Sequence, residues 1–168
     1  MNKLYQPPLS LGGILLRQMA TADETIFRRL YAEVRAPELR GTDWPDTEKQ
    51  AFCDSQYTLQ DQHYRKHYAD FEPWAICQDD VVIGRMYLAT FDGVLILMDI
   101  TIAASHRRKG IGSTILSDII RQADLLGREM RLHVEADNPA RRLYGRLGFA
   151  ELEKGDLYLE MRRLPSRG

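Results

Sequence analysis

A single α/β domain, a mixed sheet flanked by helices, is what this sequence predicts, and three observations predict it. Apolar segments with strand character alternate with helical ones in the order β-α-α-β-β-β-α-β-α-β-β, which suits a layered α/β fold. The run from Val94 to Ile102 is apolar except for Asp99 and Thr101. So continuous a run predicts a strand central to its sheet and buried on both faces. A glycine-rich turn follows it directly, and then a strongly amphipathic helix. The 168 residues suit one core, with residues 1–10 as a loose lead-in and 164–168 as a tail.

Each element carries its own local signal. Ile14 to Met19 predicts the first strand. Thr21-Ala22-Asp23-Glu24 has the pattern of a capping box, with the Thr hydroxyl and the Glu carboxylate satisfying free amides. The helix it opens carries Ile26, Leu30 and Val34 on one stripe and is expected to end near Pro37. Trp44-Pro45-Asp46 opens a second helix that runs to about Tyr68, with Phe52, Gln56, Leu59 and His63 on its stripe. Trp74 to Gln78 and Val81 to Thr90 read as a hairpin turned at Asp79-Asp80, and Phe91-Asp92-Gly93 turns the chain into the central strand. The amphipathic helix presents Ile111, Ile115, Leu116, Ile119, Ile120 and Ala123, and Gly127 stops it. Arg131 to Glu135 is a short strand. Asn138-Pro139 caps a last helix through Leu147, and a hairpin turned at Lys154-Gly155-Asp156 closes the chain.

Composition excludes several classes of function. With 23 basic and 24 acidic residues the net charge is −1, which leaves no electrostatic footprint for nucleic acid or a membrane surface. The N-terminus lacks a signal-peptide pattern, and Cys53 and Cys77 have neither metal-ligand nor disulfide-scaffold spacing. A cytoplasmic protein with reduced thiols is the expectation. His63 and His67 stand four apart on a helix, but no third ligand is evident, so no metal is expected.

The segment that carries chemistry is Arg107-Arg108-Lys109-Gly110-Ile111-Gly112-Ser113, set between the most apolar strand and the amphipathic helix. Two glycines let backbone approach a ligand closely, and the free amides of a first helical turn attract anions. Three basic side chains add charge for a polyphosphate. A P-loop would need Lys after the second glycine, where Ser113 stands. A dinucleotide fingerprint would need glycine where Ile115 stands. A plain tight turn with a solvated basic run is the competing structural explanation.

Arg107-Arg108-Lys109-Gly110-Ile111-Gly112 resembles the Arg/Gln-x-x-Gly-x-Gly/Ala signature of the GCN5-related N-acetyltransferase (GNAT) superfamily. Asn138 to Phe149, with Leu143-Tyr144 and Gly148-Phe149, resembles that superfamily's second motif. The resemblance implies a sheet splayed between the strands ending near Ile102 and Glu135, with acetyl-CoA in the opening as acyl donor. Its pantetheine arm would pair with backbone at Ile100, Thr101 and Ile102. Its diphosphate would sit on amides from Arg108 to Ser113, with Arg107 and Arg141 also among the cofactor-binding residues, the Asn138 side chain hydrogen-bonding toward the pantetheine arm, and a main-chain N–H near Ile100 polarising the thioester. Tyr144 would protonate the departing thiolate. The bland alternative for Tyr144 is a core tyrosine with a bonded hydroxyl, and for Asn138 a simple helix cap.

The acceptor is expected to be a primary amine acetylated directly in a ternary complex. His133 and Glu135 rank first to take its proton, then Asp99, whose carboxylate in an apolar strand needs a partner. His63 ranks last as a base. The acceptor wall implied by the resemblance draws on Trp44, Asp46, Gln60 and His63, with a helix-packing anchor as the competing reading of Trp44. A small amine or amino-acid-like metabolite is favoured over a protein or peptide amine. A non-catalytic acyl-CoA sensor is the alternative outside enzymology, and the chain is expected as a monomer or homodimer.

Overall fold

The computed structural model describes residues 3–155 and 157–167. Its elements are β1 (Ile14–Gln18), α1 (Glu24–Leu39), α2 (Asp46–His67), β2 (Glu72–Gln78), β3 (Val81–Phe91), β4 (Val94–Ile102), α3 (Ile111–Leu125), β5 (Met130–Glu135), α4 (Ala140–Arg146), β6 (Ala150–Lys154) and β7 (Tyr158–Arg163). The order matches the one the sequence predicts. One seven-stranded sheet runs β1-β2-β3-β4-β5-β7-β6. Strands β1 to β4 form an antiparallel meander, β5 joins β4 in parallel across the α3 crossover, and β7 pairs antiparallel with β5 and β6. Asp156, in the last turn, lies outside the described residues, as do Met1, Asn2 and Gly168.

Two apolar clusters fix the layers. On one face α3 and α4 pack Ile111, Ile115, Leu116, Ile119, Ala123 and Tyr144 against Met86, Leu88, Leu95, Leu97, Leu132 and Val134. The other face carries α1 and α2 through Phe27, Tyr31, Leu39, Cys53 and Tyr57, over Ala75, Cys77, Val82 and Tyr87. Both cysteines are free and buried. No helix among the described residues is long and apolar enough to cross a membrane.

Several local expectations are corrected. Within the lead-in, Leu4 to Gln6 are anchored: the Leu4 N–H donates to Glu72, Tyr5 is buried and its hydroxyl donates to Asp118 at 2.6 Å, and Gln6 and Gln122 bond reciprocally. In the tail, the Ser166 N–H donates to Asp124. Thr21–Asp23 form a 3-10 turn, and the capping carboxylate is that of Asp23, which accepts the Ala20 N–H at 2.8 Å. Helix α1 passes through Pro37 to Leu39. Pro37 sits in the last turn, where one missing N–H forfeits one bond and burial of Leu39 holds the end. The core stripes also differ, since Phe27, Leu30 and Tyr31 face the sheet from α1, and Cys53 and Tyr57 do so from α2. Central β4 buries Leu95, Leu97 and Thr101 but leaves Ile96, Met98, Ile100 and Ile102 half-exposed, because the sheet opens beside it.

Two predictions arise here. A Cβ on Gly84 would stand 2.6 Å from the Thr101 carbonyl oxygen, inside the β3–β4 ladder. Gly84→Ala should therefore lower stability by about 3 kcal/mol, read as a shift of the urea midpoint at unchanged slope. The second concerns acid. Arg17 holds the Asp23 carboxyl, and Arg163 the Asp124 carboxyl, below the usual carboxylate range. A depressed folded value contributes stability above the unfolded pKa and loses it as pH falls through the folded one. Thermal midpoints should thus fall below about pH 4, and Asp124→Asn should flatten that fall.

Candidate functional site

The ladder between β4 and β5 is short. It pairs Leu95 with Met130, Ile96 with Arg131 and Leu97 with Leu132, and then ends. At that point β4 carries an extra residue: Tyr87 faces Asp99 and Leu88 faces Leu97, leaving Met98 as a bulge. Past it, β4 stays with β3, while β5 follows β7 through His133–Glu160 and Glu135–Tyr158. The two strands part, and from Met98 to Ile102 β4 has no ladder partner toward β5. Main-chain groups along that edge are free to pair with an extended ligand. The Ile102 carbonyl is an exception, accepting Arg107 Nε at 2.8 Å.

Beyond the opening the chain makes a turn in which Arg108 and Gly110 both adopt positive φ, 62° and 75°. Glycine suits such a backbone, and Arg108 adopts it at a cost. Among the described residues, no N–H from Arg108 to Ser113 donates to the protein; the first helical bond runs from Thr114 to Gly110. These amides meet the positive end of the α3 dipole. An added Cβ on Gly112 would meet nothing within 4 Å, so this backbone faces open space. Arg108 and Lys109 are exposed and lack ion-pair partners among the described residues. From the other side Glu33 of α1 accepts the Ala104 N–H and pins the approach to the loop.

Tyr144, on α4, is buried against Phe149, and its hydroxyl has no hydrogen-bond partner among the described residues. The bonded core tyrosine expected on the bland alternative is absent. Burial first, and the charge of Asp99 second, push its pKa up to about 12. Asp99 has found its partner: Arg85 Nε donates to it at 2.9 Å, and Thr101 Oγ1 donates at 3.1 Å. Arg85 is itself 3% exposed; it bonds the Tyr87 hydroxyl and lies over the rings of Tyr31, Tyr57 and Tyr87. Asp99 remains 26% exposed, and its charge also reaches Tyr64 on α2.

The other candidates fall into three places. His133 and Glu135 share the exposed side of β5, across the parting from Asp99. Asn138 Oδ1 caps α4 through the Ala140 N–H at 2.9 Å, while Arg141 is bound to Glu151 and to the Ala136 carbonyl. A cavity of about 630 Å³ lies beside them, bounded by Asn138, Arg142, Gly145 and Met161. Trp44, Asp46 and His63 are exposed, and Gln60 is half-buried. No group of three metal-binding side chains occurs among the described residues. Sequence inspection missed Arg85 and its tyrosines. The signal was one cation in apolar β3 and one anion in apolar β4, on either side of a tight turn.

A family model described as the acetyltransferase (GNAT) family matches residues 36–149. Among solved structures, the chain is similar to the PaiA N-acetyltransferase of Thermoplasma acidophilum in complex with coenzyme A, at 17% identity and TM-score 0.70, covering 90% of this chain and 98% of that one. It is similar to the spermidine N-acetyltransferase of Vibrio cholerae in complex with CoA and spermine, at 18% identity and TM-score 0.63, covering 91% and 96%. The ribosomal-protein-S18-alanine N-acetyltransferase of Escherichia coli matches at 16% identity and TM-score 0.61, covering 92% and 96%. At such identities the likeness is one of fold. No curated protein sequence matches the chain.

Proposed function

The chain belongs to the acetyltransferase (GNAT) family, and from that premise we propose that it transfers the acetyl group of acetyl-CoA to a primary amine held in the same complex. One observation carries the proposal. A run of unpaired amides at a helix N-terminus lies beside a sheet that opens at a bulge, and a buried tyrosine near the opening has an unbonded hydroxyl.

The residues fit the donor's chemistry. Amides from Arg108 to Ser113 would receive the diphosphate, with Arg108 and Lys109 adding charge. The free edge of β4 at Ile100 and Thr101 would hold the pantetheine arm, and an amide there would polarise the thioester carbonyl. The amine nitrogen bonds to the acetyl carbon and releases its second proton to water, the carbon–sulfur bond breaks, the sulfur takes the Tyr144 proton, and the phenolate regains one from water. With its pKa near 12, Tyr144 enters each cycle protonated at neutral pH. Asp99, fixed by Arg85 and still partly open, would hold the acceptor's ammonium and accept its proton, with His133 and Glu135 passing it to solvent. A net charge of −1, which offers no electrostatic footprint for a macromolecular partner, supports a small amine or amino-acid-like metabolite as acceptor over a protein or peptide amine.

Calorimetry with acetyl-CoA and with free CoA tests the donor site, and thiol release over a panel of small amines and peptide amines tests the acceptor. No heat with either nucleotide would overturn the proposal. Tight binding without turnover across the panel would leave a binding module instead.

A further inference from the structure

Helix α2 carries a solvent-facing stripe on which apolar Phe52 and Leu59 alternate with Gln56 and His63, and nothing in its own chain covers the two apolar side chains. Phe52 and Leu59 are 36% and 57% exposed, and Trp44, 42% exposed, packs edge-on to Phe52 at 5.5 Å between ring centres. Phe52, Gln56, Leu59 and His63 recur at alternating steps of four and three, the spacing of a seam between paired helices. Cys53 and Tyr57, about a third of a turn around the helix, are the buried positions that face the sheet, and the stripe points to solvent. The Trp44–Phe52 pair together with Leu59 offers an apolar surface, rimmed by polar residues, for a partner helix to cover.

We propose that this stripe pairs with the same stripe of a second copy, α2 against α2, antiparallel about a twofold axis. Charge selects that occupant. The first turn of α2 carries Asp46 and Glu48, and the last carries Arg65, Lys66 and His67. Arg65 is engaged by Asp61 of its own helix, whereas Asp46, Glu48 and Lys66 have no ion-pair partner among the described residues. Such a gradient also suits the helix dipole. What singles out self-pairing is the register. An antiparallel seam that sets Phe52 against the partner's His63, and Gln56 against the partner's Leu59, brings Glu48 beside the partner's Lys66. Acid meets base at both ends, and a twofold interface repeats each contact. A parallel pair, or a partner of one sign, would mismatch at one end. His63 would then serve the interface, leaving Gln60 to the acceptor side.

Light scattering on the eluting protein should give twice the 19.4 kDa chain mass at high micromolar concentration, falling toward the single mass on dilution. Glu48→Lys and Lys66→Glu should each weaken association about tenfold, and the double variant should recover it. Leu59→Glu should leave a folded monomer by circular dichroism. A wild-type monomer would overturn the proposal, leaving the stripe to another partner. A dimer that survives Leu59→Glu, or single charge reversals that the double variant does not rescue, would overturn it too. None of these results depends on acetyl transfer.

Discussion

Tyr144→Phe is expected to lower turnover by about two to four orders of magnitude while changing acetyl-CoA affinity less than about twofold. The substitution removes one oxygen, and that oxygen holds no part of the fold together, since it bonds to no described residue. The ring stays, so packing against Phe149 survives and the thermal midpoint should barely move. What goes is the proton for the departing sulfur. With the phenol near 12, its own ionisation should not limit turnover below about pH 11. An alkaline limb near neutrality in the wild type would report another group. Single-turnover measurements separate the chemical step from product release. Full turnover in the variant would remove Tyr144 from the mechanism.

Legibility in the sequence followed the range of the interactions. The α3 stripe from Ile111 to Ala123 was readable because one helix faces one side of one sheet, and all its apolar positions are buried. The basic glycine turn was readable because its chemistry is local: strand, free amides and helix are consecutive. Helix α2 was not. It offers two candidate faces, and composition marks Phe52 and Leu59 as the more apolar, yet Cys53 and Tyr57 lie over Tyr87 and Arg85. Periodicity states that a face exists; the partner decides which one is buried. Tyr5 escaped for a related reason, since a lone aromatic beside Pro7 and Pro8 has no period, and its anchor Asp118 lies 113 residues away. Asp99 was legible as a problem, a carboxylate in an apolar strand. Its solution, Arg85, needed the β3–β4 register.

Gly112→Ala should move stability and binding in opposite directions. The position lies in the first turn of α3, and an added Cβ would meet nothing in the protein within 4 Å. Alanine is the better helix former, so the ligand-free protein should gain about 0.5–1 kcal/mol, seen as a higher urea midpoint. If this backbone exists to be approached by a diphosphate, the same methyl group occupies the space that the ligand needs. Crowding of about 1–3 kcal/mol corresponds to acetyl-CoA binding weaker by about tenfold to a hundredfold. A plain strand-to-helix turn with a solvated basic run would show the first effect without the second. Gly110→Ala makes the control, because its φ of 75° strains any side chain. There both stability and affinity should fall, so a loss of binding by itself says little. Only the split at Gly112, a sturdier protein that grips its donor less well, distinguishes an amide cradle from a convenient turn. An alanine variant that binds acetyl-CoA as tightly as the wild type would leave the open space beside Gly112 without a purpose.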